Sequence, residues 1–249
     1  MQYIIPFFIF IYGSIFGSFF NVVILRTPKN ESLITQSSHC PKCMTPIKPY
    51  DLIPILSYVF LGGKCRHCHN PISWRYPVIE SLTAISFVSI YLAYGISYST
   101  LIGMILTSLL IIIAAIDIDT MEILDRFQIM ILMLAFINLL ISPLPVIEHL
   151  LGFFIISIPF YAIAYLTGGI GGGDIKLIAV SGLLLGYKAT IIAFFIASVL
   201  GGLVVIYLLI TKQKERKSLI AFGPYLCIGI FFAYLYGNQI FYWYLNFFN

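Results

Sequence analysis

The sequence predicts an all-α polytopic membrane protein of about eight transmembrane helices that carries a small cytoplasmic zinc-binding insert. Three observations predict it. Hydrophobic residues make up 60% of the 249 and charged residues only 10%, with a mean hydropathy of +1.00. A soluble domain of this length has too little interior for that much apolar surface, whereas a bilayer accommodates it. The apolar residues fall in long runs, the pattern of spanning helices rather than of half-buried strands. Lys and Arg lie almost entirely between those runs.

The first run, 3–25, has no basic stretch before it and no small-residue cleavage site after it, so it reads as a retained span and not a removed signal peptide. A polar insert at 26–75 follows, carrying Arg26, Lys29, Lys42, Lys48, Lys64, Arg66 and Arg75. Further apolar runs lie at 76–95, 99–116, 127–145, 148–167, 175–187, 189–210 and 220–247. The expected organisation is a first helix at 1–25, the insert at 26–75 and a transmembrane core at 76–249. No internal repeat stands out, which gives little support to an inverted-repeat transporter.

Charge sets the expected orientation. With the insert in the cytoplasm and the spans alternating, the loops at 117–126, 168–174 and 211–219 also fall inside. Of the 14 Lys and Arg, only Lys188 is then outside. The net charge of +4 is small and spread over loops, which argues against nucleic acid as a partner.

Four of the five Cys form the pairs Cys40-Pro-Lys-Cys43 and Cys65-Arg-His-Cys68, with 21 residues between them. Two such pairs present four thiolates to one tetrahedral ion, and zinc is the expected metal. The insert, with Pro41, Pro46, Pro49, Pro54, Gly62 and Gly63, has little core of its own, so metal binding would supply much of its folding energy. A redox-active dithiol is the alternative. Cys227, alone in the last run, reads as a packing residue.

Two short stretches carry the candidate chemistry: Ala-Ala-Ile-Asp117-Ile-Asp119 and Gly171-Gly172-Gly173-Asp174-Ile-Lys176. Each places a carboxylate where an apolar run meets polar residues, an expensive position that membrane chains rarely occupy without a use. Two carboxylates held close do not both ionise easily, and such a pair can serve as general acid and general base. Asp117 directly follows its apolar run and ranks first as the partner of Asp174. Asp119, two residues on, would face the other side of a helix, and Asp125 precedes Arg126, which favours an ordinary surface carboxylate. Taken alone, the glycines read equally as a close-approach surface for an extended peptide and as a simple turn with Asp174 as helix cap. The second acid favours the first reading. Asn21 near the end of the first span can hydrogen-bond across helices, and Arg26 can anchor at the headgroups. Glu80 is a buried-acid candidate that can equally pair with Arg75 or reach the surface.

These residues together resemble the bacterial type IV prepilin peptidases, the leader peptidase/N-methyltransferase family of aspartic membrane proteases. The resemblance runs through Gly17-Ser18-Phe-x-Asn21-Val-x-x-x-Arg26-x-Pro28, the two Cys pairs, Arg75-Tyr-Pro77-x-x-Glu80, the first acid motif, Gly171-x-Gly173-Asp174 with Lys176, and Phe222-Gly223-Pro224-Tyr225. It implies Asp117 and Asp174 as the catalytic acids, Asp125 as the acid closing the first motif, and 76–249 as the protease core. Gly171, Gly173, Lys176, Asn21, Arg26 and Glu80 fall on substrate or structural motif positions. Leu124 stands where the family usually has Pro. The implied activity is removal of a short basic leader from prepilin or pseudopilin precursors at the cytoplasmic face of a bacterial membrane. Methylation of the new N-terminal amine by S-adenosylmethionine follows in many members. The lipid bilayer is the other expected partner. A proton-coupled transporter would also explain two membrane acids, and a scaffold would explain the Cys insert. Neither accounts for the acids and the insert together.

Overall fold

A computed structural model of the chain describes residues 4–33, 38–211 and 220–247. The described residues are almost entirely helical, with no strand beyond two isolated bridges in the insert. The chain divides into two compact units, residues 1–108 and 109–249.

Among the described residues, five helical segments are long and apolar enough to cross a membrane: α1 (Ile4–Arg26), α3 (Arg75–Tyr94), α4 (Tyr98–Thr120), the pair α6 (Val146–Ile155) and α7 (Ser157–Thr167) taken together, and α9 (Tyr187–Ile210). Every one of the apolar runs becomes helical, while eight spans are not confirmed. At 17 residues α5 (Asp125–Ile141) is short for a span, and α8 (Gly172–Leu185) has 14. The last helix, α10 (Gly223–Phe247), has 25 residues but interrupts its apolar run with Asn238, Gln239 and many tyrosines. The run at 148–167 is broken at Ile156. Pro159 has no N–H for the Ile155 carbonyl, so the ladder cannot continue unbroken through this point.

In the first unit, α1 packs on α3 through small residues. A methyl group added at Gly13 would lie 2.7 Å from the Ala84 Cα, and one at Gly17 2.6 Å from the Glu80 Cα. Glycines four apart on one helix face let two backbones approach this closely. Asn21 donates from Nδ2 to the Gly17 and Tyr76 carbonyls, both at 3.2 Å, and so ties the two helices as expected. The buried Glu80 does not take Arg75 as its principal partner. Its Oε2 accepts the Ile55 N–H at 2.7 Å, and the Ser18 hydroxyl donates to it as well. Ile55, a β-branched residue at φ +62, caps the short helix α2 (Leu56–Phe60) in a conformation that costs energy, and the Glu80 bond helps hold it. Arg26, at 9% exposure, donates to the Ser32 carbonyl at 3.0 Å, so it folds over the end of α1 as well as sitting at the span edge.

The centre of the second unit is α8. Every residue from Leu177 to Leu185 is buried, which is why this run is apolar on all sides at only 14 residues. Gly152 of α6 and Gly182 of α8 meet backbone to backbone. Asn138 donates to the Leu184 carbonyl at 3.0 Å, and His149 Nδ1 lies 2.8 Å from the Leu183 carbonyl. These side chains satisfy carbonyls at the helix end that have no partner within the helix. The basic loop at 211–219 lies, from residue 212 onward, outside the described residues.

Candidate active site and metal centre

Asp117 sits in the last turn of α4 and is only 4% exposed, whereas Asp119 is exposed. The difference is the helical period: two residues on, the side chain has turned to another face. Helix α4 closes with the Met121 N–H on the Asp117 carbonyl, and Met121 then takes φ +55 and turns the chain back. Asp174 is the third residue of α8, behind Gly171 as the helix cap. It is therefore not the cap itself. Both acids line one cavity of about 450 Å³, together with Met121, Glu122, Ile123 and Leu124. Asp117 Oδ2 and Asp174 Oδ1 are each buried without a hydrogen-bond partner, and each carboxylate lies within the other's field. A buried polar atom left open in this way is costly and marks a place for a ligand or a reacting group.

Gly171, Gly172 and Gly173, at the cap and first residues of α8, do not use left-handed conformations: all three lack the positive φ that Gly168 has. Their reason is space. A methyl group on Gly173 would lie 2.9 Å from the Ile123 Cβ, and Gly172 opens onto nothing within 4 Å. Lys176 does not reach the acid pair. It binds Asp125 through both carboxylate oxygens, at 2.8 and 3.0 Å, and so joins the start of α5 to α8.

The metal candidates also come together. All four Sγ atoms of Cys40, Cys43, Cys65 and Cys68 lie within 4.8 Å of one another, with Cys40–Cys68 at 3.8 Å and Cys43–Cys65 at 4.0 Å. Four thiolates at about 2.3 Å from one tetrahedral ion stand about 3.8 Å apart, so the set fits zinc. The two pairs are built alike. The Cys40 N–H donates to Thr45 and the Cys65 N–H to Asn70, Met44 and His69 take φ +56 and +54, and the bridges His39–Pro46 and Lys64–Pro71 close each turn. Donors from the Thr45 hydroxyl and N–H hold the Cys43 thiol down to about 6, which favours the thiolate a metal needs.

Residues 11–94 match the model of the bacterial peptidase A24 N-terminal domain, and residues 104–206 match that of the type IV leader peptidase family. Among curated proteins, a prepilin leader peptidase/N-methyltransferase of Bacillus subtilis is 38% identical over 244 residues, 96% of this chain and 97% of the relative. The Aeromonas salmonicida protein of that name is 33% identical over 96% of this chain and 93% of its own. The chain belongs to the type IV leader peptidase family. A Pseudomonas aeruginosa protein of the same name is 30% identical over 94% of this chain and 91% of its own. No solved structure matches.

Within the family pattern, Leu124 in place of Pro does not disturb the turn. It caps α5 at φ −71, close to the angle a proline ring imposes. Three residues that the sequence did not name as site candidates complete the site. Gly223, the first residue of α10, donates its N–H to the Asp117 carboxylate, and a methyl group there would lie 2.5 Å from Asp117 Oδ2. This places a helix N-terminus beside the carboxylate, where the helix dipole favours negative charge. Ile123 fills the space against both Gly173 and Gly223. Gln128, 3% exposed, donates from Nε2 to the Gly173 carbonyl at 3.0 Å and holds the glycine loop to α5. A polar residue on the buried face of α5 was the available signal for Gln128. For Gly223 the only signal was its place in a family motif.

Proposed function

We propose that this chain is a membrane aspartic endopeptidase that removes the leader from type IV prepilins or prepilin-like precursors and then methylates the new N-terminal residue. Membership of the leader peptidase family, with relatives of that name along nearly the whole chain, supports the activity. The single observation that carries the chemistry is the cavity with Asp117 and Asp174 on one wall system, each with a buried oxygen free to act. One acid takes a proton from water as the water oxygen attacks the scissile carbonyl carbon. The other gives its proton to the leaving amine nitrogen as the C–N bond breaks. No covalent intermediate is needed, and a proton shift across the pair resets it. Gly223 fits Asp117 for the carboxylate role, since its N–H stabilises charge there. Asp174, with no donor on Oδ1, fits the proton-carrying role. A proton-coupled transporter finds no support among the relatives.

The reading extends to place and cofactors. The Lys/Arg bias supports a bacterial cytoplasmic membrane location with the insert and both acids at the cytoplasmic side. Zinc is structural, held by Cys40, Cys43, Cys65 and Cys68. S-adenosylmethionine is the methyl donor that the relatives' name implies. Incubating the purified protein with a prepilin and S-adenosylmethionine, then weighing the product N-terminus by mass spectrometry, tests both halves. Loss of the leader plus one methyl group is the expected product, and intact precursor would reject the reading.

For the metal, one zinc per chain is the expected content by elemental analysis. Replacing any one of the four Cys by Ser lowers that content and makes the insert a readier target for limited proteolysis, because a three-thiolate site loses both geometry and affinity. Well-folded protein free of zinc would end this assignment.

A further inference from the structure

We propose that Glu122 is a specificity-determining residue, whose carboxylate at the edge of the Asp117–Asp174 cavity receives a cationic side chain of the substrate next to the scissile bond. The inference rests on the protease reading of that cavity and adds a residue to it.

Four carboxylates line the cavity: Asp117, Glu122, Asp125 and Asp174. Three have a task. Asp117 and Asp174 form the pair with buried open oxygens, and Asp117 is itself more than nine-tenths buried. Asp125 is held by Lys176. Glu122 is exposed and makes no hydrogen bond or ion pair among the described residues. Among the described residues, no Lys, Arg or His lines the cavity. A cleft of one sign concentrates ligands of the other, and it does so more strongly than an open surface.

The shape beside Glu122 suits a long cation. Met121, Ile123 and Leu124 flank it on the cavity wall. Lys and Arg lay their methylene stems along apolar surface and keep only the charged head for a polar partner. The left-handed turn at Met121 creates this edge. It ends α4 right after the catalytic turn and brings the next residue, Glu122, to the cavity five positions after Asp117. A straight continuation of the helix would carry that side chain away from Asp174.

The test uses the full-length protein in detergent and two precursors. They differ only at the residue N-terminal to the scissile bond that is nearest to it and carries charge: Lys in one, Glu in the other. Wild type is expected to favour the Lys precursor in kcat/KM. Glu122→Gln reduces that preference about tenfold, carried by KM and not kcat, as expected when a binding contact is lost that ground state and transition state share. Glu122→Lys turns the preference toward the Glu precursor. Glu122 is exposed, so neither variant threatens the fold, and zinc content and thermal midpoint check this. An unchanged preference in both variants would overturn the role of Glu122 while leaving the protease intact. Wild type that cleaves neither precursor would instead reject the protease reading itself, and this proposal with it.

Discussion

Asp117→Asn and Asp174→Asn are each expected to abolish leader removal, by a factor on the order of ten thousand in kcat, with expression and zinc content unchanged. Asn keeps the size of Asp but can neither take a proton from water nor hand one to an amine. Both side chains line the cavity, and each has a buried oxygen that no protein group occupies, so neither acts by supporting a neighbour. Removing a charge from two buried, mutually repelling carboxylates does not weaken the fold. The double variant is expected to be no worse than either single one, since the acids act as a unit. A precursor already trimmed to its mature N-terminus should still be methylated by both variants. Asp119→Asn should cleave normally because Asp119 is exposed. Asp125→Asn loses an exposed ion pair worth about 0.2–1 kcal/mol, and should keep substantial activity. Cleavage that survives Asp117→Asn but not Asp119→Asn would show that the wrong acid was chosen. Normal cleavage by Asp174→Asn would remove the mechanism.

Gly223→Ala is expected to lower kcat about a hundredfold with KM little changed. The added methyl group would lie 2.5 Å from Asp117 Oδ2 and 3.1 Å from Ile123 Cδ1. Real contacts of a Cβ are not that short, so something must move. Ile123 is already pressed against Gly173 on its other side, which leaves the Asp117 carboxylate to shift. Displacing a catalytic group by about 1 Å is enough for a loss of this size. The control is Gly202→Ala in α9, where the methyl group meets nothing within 4 Å and helix propensity improves. Wild-type kcat in Gly223→Ala, measured on detergent-solubilised protein at saturating precursor, would show that this glycine does not position the acid.

The sequence by itself determined what depends on neighbours in the chain. Long apolar runs became helices because hydropathy over a run is a local property. The burial of Asp117 and the exposure of Asp119 followed from the helical period at a run's edge. Each Cys-x-x-Cys turn was legible because it is closed by its own short-range hydrogen bonds, whereas the meeting of the two turns spans up to 28 positions.

Only the tertiary structure decided what depends on residues far apart in sequence. Apolarity cannot separate a lipid-facing helix from one buried in protein, so α8, enclosed by its neighbours, read as a span although it is too short for one. Lys176 holds Asp125 across 51 positions, Gln128 holds the Gly173 carbonyl across 45, and Glu80 holds Ile55 across 25. Gly223 reaches Asp117 from the start of α10. A contact of this kind leaves no periodic or spacing signal, because it is chosen by how helices pack and not by the order of residues along any one of them.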